Sequence, residues 1–142
     1  MRHLILACVL LCSSVLGCAP QTVRAQGSSL SESDRELRRA FEQHTSDIRI
    51  EGRGTVKRVL SDDDEGSRHQ RFILELGSGQ TLLIAHNIDI APRIPNLRKG
   101  DKVSFRGEYE WNPNGGVVHW THRDPGGRRS GGWLKHKGKT YQ

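Results

Sequence analysis

The chain has 142 residues and a formal net charge of +6. That length suits one domain rather than several. With only 6% aromatic residues, its core must rest on aliphatic side chains. The charge is unevenly spread: Asp62, Asp63, Asp64 and Glu65 form an acidic run, whereas Arg123, Arg128, Arg129, Lys135, Lys137 and Lys139 face only Asp124 near the end. A basic tail of this kind suits phosphate or anionic lipid, or else a solvated surface answering the acidic run.

The N-terminus has the features of an export signal. Arg2 precedes an apolar stretch from Leu4 to Leu16, which is shorter than the ~20 residues a membrane-spanning helix needs. Two processing sites compete. Val15-Leu16-Gly17-Cys18 resembles a bacterial lipobox, which implies acylation at Cys18, a signal over 1–18 and an outer-membrane anchor in the periplasm. Val23-Arg24-Ala25 resembles an ordinary small-x-small cleavage site, which implies a signal over 1–25 and a soluble periplasmic or secreted protein. Cys8 and Cys12 leave with either signal, so Cys18 has no disulfide partner. Loss of Arg2 takes the charge from +6 to +5, and loss of Arg24 as well takes it to +4.

Residues 19–33, rich in Gln, Ser and Gly, are expected to form a flexible tether, followed by a single domain over 34–142. Ser31 to Asp34 offers helix N-cap chemistry. Leu37, Ala40, Phe41 and His44 recur at helical spacing, which predicts a short helix to about Gln43. From Ile48 the period becomes two. Ile48, Ile50, Val56 and Leu60 fall in phase with Gly52 and Gly54 between them, predicting a long first strand bent at its glycines. Phe72 to Leu76 and Leu82 to His86 predict two strands joined by a Gly77-Ser78-Gly79 turn. Pro92 and Pro95 exclude a long helix or central strand between Asn87 and Leu97. Val103 to Trp111 alternates most clearly. Asn112 to Gly116 is a second hairpin turn, and Val117 to His122 is the fifth strand. Trp133 to Tyr141 adds a short hairpin around Gly138. The fold class is therefore mostly β: a small five-stranded OB-like Greek-key barrel with a short N-terminal α-helix. Barrels of this type bind ligands across strands two and three and the adjoining loops, here Ser61 to Gln70 and Asn112 to Gly116.

The segments Gly66-Ser67-Arg68-His69-Gln70-Arg71-Phe72, Ala85-His86-Asn87-Ile88-Asp89-Ile90-Ala91, Gly107-Glu108-Tyr109-Glu110-Trp111-Asn112 and His119-Trp120-Thr121-His122-Arg123-Asp124-Pro125, with Gly132-Trp133, resemble the bacterial domain-of-unknown-function family 3465 over roughly Phe41 to Gln142. The resemblance implies a small exported domain and carries no activity with it.

Six histidines follow the signal. His44 is expected in helix packing or at the surface, and His136 solvated in the basic tail. Arg68, His69 and Arg71 form a compact cationic group suited to phosphate or carboxylate. With His86, Asn87 and Trp120 they are the candidate ligand-binding residues of a module for an anionic polymer or small ligand, such as nucleic acid, glycan or peptide. His86 lies in phase with apolar Leu82 and Ile84, so a buried, hydrogen-bonded imidazole is the competing reading. His119, His122 and Asp124 are candidate catalytic residues of a metal-assisted phosphodiesterase or nuclease, with His69, His86, His122 and Asp124 as candidate metal ligands. Nothing in the sequence requires a cofactor, and a divalent metal is compatible with it. In a regular strand His119 and His122 point to opposite faces, and only an early end to the strand brings them together. A third reading is a structural envelope lipoprotein whose polar motifs hold the barrel together. No glycine-rich phosphate loop or Ser/His/Asp arrangement is present.

Overall fold

In the computed structural model, which describes residues 29–142, one helix leads into a closed five-stranded barrel. Helix α1 spans Glu32–Glu42. Ser31 caps it, accepting the Asp34 N–H at 3.0 Å and satisfying one of the donors that a helix start leaves unpaired. The helix thus begins inside the stretch expected to be tether. The expected signal, Cys18 and the tether as far as residue 28 lie outside the described residues. No described helix is long and apolar enough to cross a membrane.

The strands are β1 (Ile48–Val59), β2 (His69–Leu76), β3 (Thr81–Asn87), β4 (Lys102–Glu110), β5 (Val117–His119), β6 (Trp133–His136) and β7 (Lys139–Tyr141). They pair in the order β1-β2-β3-β5-β4, and β1 closes the ring on β4. β3 and β5 are parallel and the other ring pairs antiparallel, which is the OB-like Greek-key arrangement.

One long strand can serve two neighbours only if it bends. Ile48 to Thr55 pairs with β4, Gly54 to Val59 pairs with β2, and the register shifts between Val56 and Arg58. Gly52 and Gly54 sit at the corner. A Cβ on Gly52 would lie 2.6 Å from the Phe105 ring, and one on Gly54 would lie 2.9 Å from the Glu75 carbonyl. Only glycine lets the strand coil this tightly over its own core.

Alternation sets the interior. Phe72, Leu74, Leu82, Ile84, Val103, Phe105, Tyr109 and Val118 are fully buried, and Leu37 and Ala40 of α1 join the same core. The helix lies where β2 turns into β3 and β4 ends. Arg38 donates to the Ser78 carbonyl, and the Trp111 indole donates to the Phe41 carbonyl at 3.1 Å. His44 packs tilted against Trp111 with ring centroids 4.1 Å apart.

Two features of the C-terminal part depart from expectation. The fifth strand stops at His119, because Trp120 takes a φ of +54° and turns the chain out of the sheet. The free edge of β4 is then taken over by β6: β5 pairs with Glu108 to Glu110 and β6 with Val103 to Arg106. Gly107 lies between the two, where a Cβ would stand 2.4 Å from the His119 carbonyl. The expected hairpin around Gly138 is β6–β7, and its docking on β4 turns His136 inward. Expected to be solvated, His136 is 4% exposed, and its Nε2 lies 3.0 Å from Asp101 Oδ2.

At the opposite end to α1, the connection from β3 to β4 closes the barrel with Ala91, Ile94 and Leu97. Its prolines deny it a ladder, so side chains must satisfy its backbone. Gln70, 2% exposed, donates from Nε2 to the Ile94 carbonyl and accepts the Ile94 N–H at Oε1, both at 2.9 Å. Gln70→Leu strands both groups. Unpaired buried polar groups cost about 1–3 kcal/mol each, so urea denaturation should show a loss of roughly 2–4 kcal/mol. A loss below 0.5 kcal/mol would mean that the connection does not depend on this pair.

Candidate ligand-binding face

The first of the sequence-predicted groups lies on the rim at the start of β2. Arg68 donates from its backbone N–H and from Nε to the Asp89 carboxylate, each at 2.8 Å. The Arg68 backbone bond, reinforced by its side chain, holds Asp89 below the usual carboxylate range. Arg71 Nη1 lies 3.6 Å from Asp63, and its Nε donates to the Ser61 carbonyl. Arg93 pairs with Asp62. Most of this cationic group is therefore answered by nearby acids. His69 exchanges backbone bonds with Asp63 and points to the outside of the barrel, since its neighbour Gln70 faces in. Asn87 Oδ1 accepts the Asp89 N–H at 3.0 Å and shapes the turn that presents Asp89.

His86 is inside. Its neighbour across β2–β3 is Gln70, and no part of it is exposed. Nε2 lies 3.1 Å from the Pro92 carbonyl and Nδ1 2.8 Å from Thr121 Oγ1. A carbonyl only accepts, so Nε2 carries the proton and the Thr121 hydroxyl donates to Nδ1. Both nitrogens are occupied, and the ring has no lone pair left for a metal. Burial pushes the imidazole down to about 4, with nearby His122 and His69 adding to the shift against the Pro92 bond.

His122 is also buried. Its Nδ1 donates to the Arg123 carbonyl at 2.7 Å, and its ring packs on Trp120 at 4.8 Å. Arg129 lies 5.3 Å above the other ring of that stack, Trp120. Asp124 accepts the N–H groups of Gly126, Arg128 and Arg129. Those bonds, that of Arg129 first, hold it below the usual carboxylate range and organise the basic loop. His69, His86, His122 and Asp124 do not come together at metal-binding distance. Among the described residues the group that does is Glu108, Glu110 and His119.

A groove of about 720 Å³ lies instead on the outer face of β2 and β3. Its floor is Ile73 and Leu83, which are directly paired, face away from the core and are half-buried. Lys57 and Arg58 flank it from the β1 bulge, Lys99 from the β3–β4 connection, and Asn112 and Asn114 from the β4–β5 turn. Lys57 is paired with Glu75 at 2.9 Å. Arg58 and Lys99 have no carboxylate within 4.0 Å among the described residues, as the ion pairs there all involve other cations. The turn wall is firmly held. Asn112 Oδ1 accepts the Asn114 and Gly116 N–H groups, and Gln80 donates to the Gly115 carbonyl at 2.9 Å. Gly115 and Gly116 have φ of +112° and +100°, and a Cβ on Gly116 would stand 2.1 Å from the Tyr109 ring. The position of this groove follows from the fold and its turn from the sequence. Its cations were missed because the bulge that exposes Lys57 and Arg58 has no signature in the alternation.

The buried His86 generates a pH dependence. Its folded-state value lies below the unfolded value of 6.5, so the unfolded chain takes up a proton first as pH falls. Stability is fully present above pH 6.5 and is lost between 6.5 and about 4, by about 3 kcal/mol from this group. In urea unfolding from pH 7 to 4, His86→Gln should be less stable at pH 7 but show a flatter acid slope. An unchanged slope would place the acid sensitivity elsewhere.

No match to a curated protein was found. The family model described as "Protein of unknown function (DUF3465)" matches residues 22–142, nearly the whole chain and all of the barrel, and the chain belongs to that family.

Proposed function

We propose that the domain is a binding module for an anionic ligand, held on the outer face of β2 and β3. The observation that carries this reading is the pairing of an aliphatic floor, Ile73 and Leu83, with two cations, Arg58 and Lys99, that no carboxylate among the described residues answers. A cation left unpaired beside apolar surface is available to an incoming anion, whereas Arg68 is already bonded to Asp89. The location agrees with the face that barrels of this topology use for ligands.

The lining also narrows the ligand. Among the described residues it contains no Trp, Tyr or Phe. Single-strand nucleic-acid binders draw roughly 1–3 kcal/mol per base from aromatic stacking, and this groove has no such platform. An acidic glycan or peptide fits better: its carboxylate or sulfate groups meet Arg58 and Lys99, and the exposed Asn114 amide is placed for a hydroxyl or carbonyl. The export signal expected at the N-terminus would put that ligand in the cell envelope or beyond it.

The test is fluorescence anisotropy with a fluorescein-labelled heparin hexasaccharide at low salt. Arg58→Glu with Lys99→Glu should weaken binding at least tenfold, about 1.4 kcal/mol, with a reduced salt dependence. Arg68→Ala should change affinity less than threefold. Equal affinity for the double variant, or a larger loss in the Arg68 variant, would overturn the reading, as would no binding by the unaltered protein.

A further inference from the structure

The outer face of β4 and β5 carries a second polar cluster, separate from the groove. Side chains two apart on a strand share a face, so Glu108 and Glu110 both point outward from β4. His119 is directly opposite Glu108 across the β4–β5 ladder, which puts its imidazole on the same face. One ligand atom from each of the three residues lies within 4.8 Å of the other two. His119 Nε2 stands 3.6 Å from Glu110 Oε1.

Three observations mark this cluster out from ordinary surface charge. Among the described residues neither glutamate has a Lys or Arg partner within 4.0 Å, although arginines are close by. Arg49, opposite Glu108 on β1, spends its guanidinium on the Ser130 and Gly131 carbonyls, and Arg106 pairs with Glu51. Second, all three residues are half-buried. Third, His119 Nε2 is shielded from solvent and has no hydrogen-bond partner among the described residues. Buried polar atoms are nearly always paired, and an unpaired one calls for a bound water or ion. The two other such side-chain atoms among the described residues are Arg49 Nε, on the strand beside Glu108, and Trp120 Nε1, on the residue after His119.

We propose that Glu108, Glu110 and His119 bind a divalent transition-metal cation. Carboxylate and imidazole ligands at bond lengths of about 2.0–2.2 Å stand roughly 3.4 Å apart around a tetrahedral ion, close to the His119–Glu110 separation. Two anionic oxygens and one neutral nitrogen balance a charge of two. Three protein ligands leave coordination positions for water or an anionic group.

The probe is Mn²⁺, because carboxylate and imidazole accept it while the cysteines at 8, 12 and 18 compete poorly for it, as they would not for zinc. Titrated into EDTA-treated, ¹⁵N-labelled full-length protein, it should broaden the amide signals of Glu108–Glu110 and Val117–Trp120 first, saturating at one equivalent. Glu108→Gln with Glu110→Gln should raise Kd at least tenfold, and His119→Gln at least fivefold. Melting of the metal-free variants separates lost binding from lost folding, and the broadening pattern of the unaltered protein locates the ion without any variant. Broadening centred on Asp62–Glu65, no saturable binding, or an affinity in the double variant within twofold of the original would overturn the proposal.

Discussion

The buried polar clamp at one end of the barrel is the constraint on which the rest of the structure depends. A connection containing Pro92 and Pro95 has to cross that end without a ladder of its own; Gln70 and His86 satisfy it from within, and Thr121 bonds His86 behind them. Each comes from a different strand or strand end. Gln70 and His86 face each other across β2–β3, and the parallel pairing of β3 with β5 delivers Thr121 to the same spot. The clamp therefore ties together the three elements whose pairing defines the barrel. It also explains why a chain with so few aromatic residues tolerates polar groups inside: every hydrogen-bonding atom of His86 and Gln70 has a partner, and a satisfied network rigidifies rather than weakens a core.

That arrangement sorts the conspicuous residues into interior and exterior roles. The histidines that stand out in the sequence are largely structural: His86 holds the connection, His136 meets Asp101, and His122 packs beneath Trp120. The cations sort likewise by partner. Those near the acidic run are neutralised by Asp62, Asp63 and Asp89, so the two charge clusters of that rim largely cancel. Among the described residues no carboxylate answers Arg58 and Lys99, and their place beside Ile73 and Leu83 is what supports the proposed anion-binding face on β2 and β3.

Much of the fold was legible because it rests on local rules. Period-two alternation marked the ring strands, the glycines at 52 and 54 marked the bend of β1, and Gly138 marked the last hairpin. What alternation does not encode is where a strand stops pairing. Val117 to His122 alternates like a strand, yet the positive φ at Trp120 ends it after three residues, and the edge of β4 passes to β6. The site was less legible for the same reason. His119 stood out, but its closest acidic neighbours are Glu108 and Glu110, which come into range only through the β4–β5 register. Arg68 and Arg71 looked available because Asp89 and Asp63 reach them through loops. His136 looked solvated because a basic tail gives no sign that it adds a strand to β4.

The central claim is that recognition lies on the outer face of β2 and β3, while His86, His122 and His136 build the interior. Mapping amide chemical-shift changes in the ¹⁵N-labelled protein during titration with an unlabelled heparin hexasaccharide tests this directly. The account predicts the largest changes at Arg58, Ile73, Leu83, Lys99 and Asn114. Changes centred on Arg68, His69, Asn87 and Trp120, with the groove silent, would contradict it.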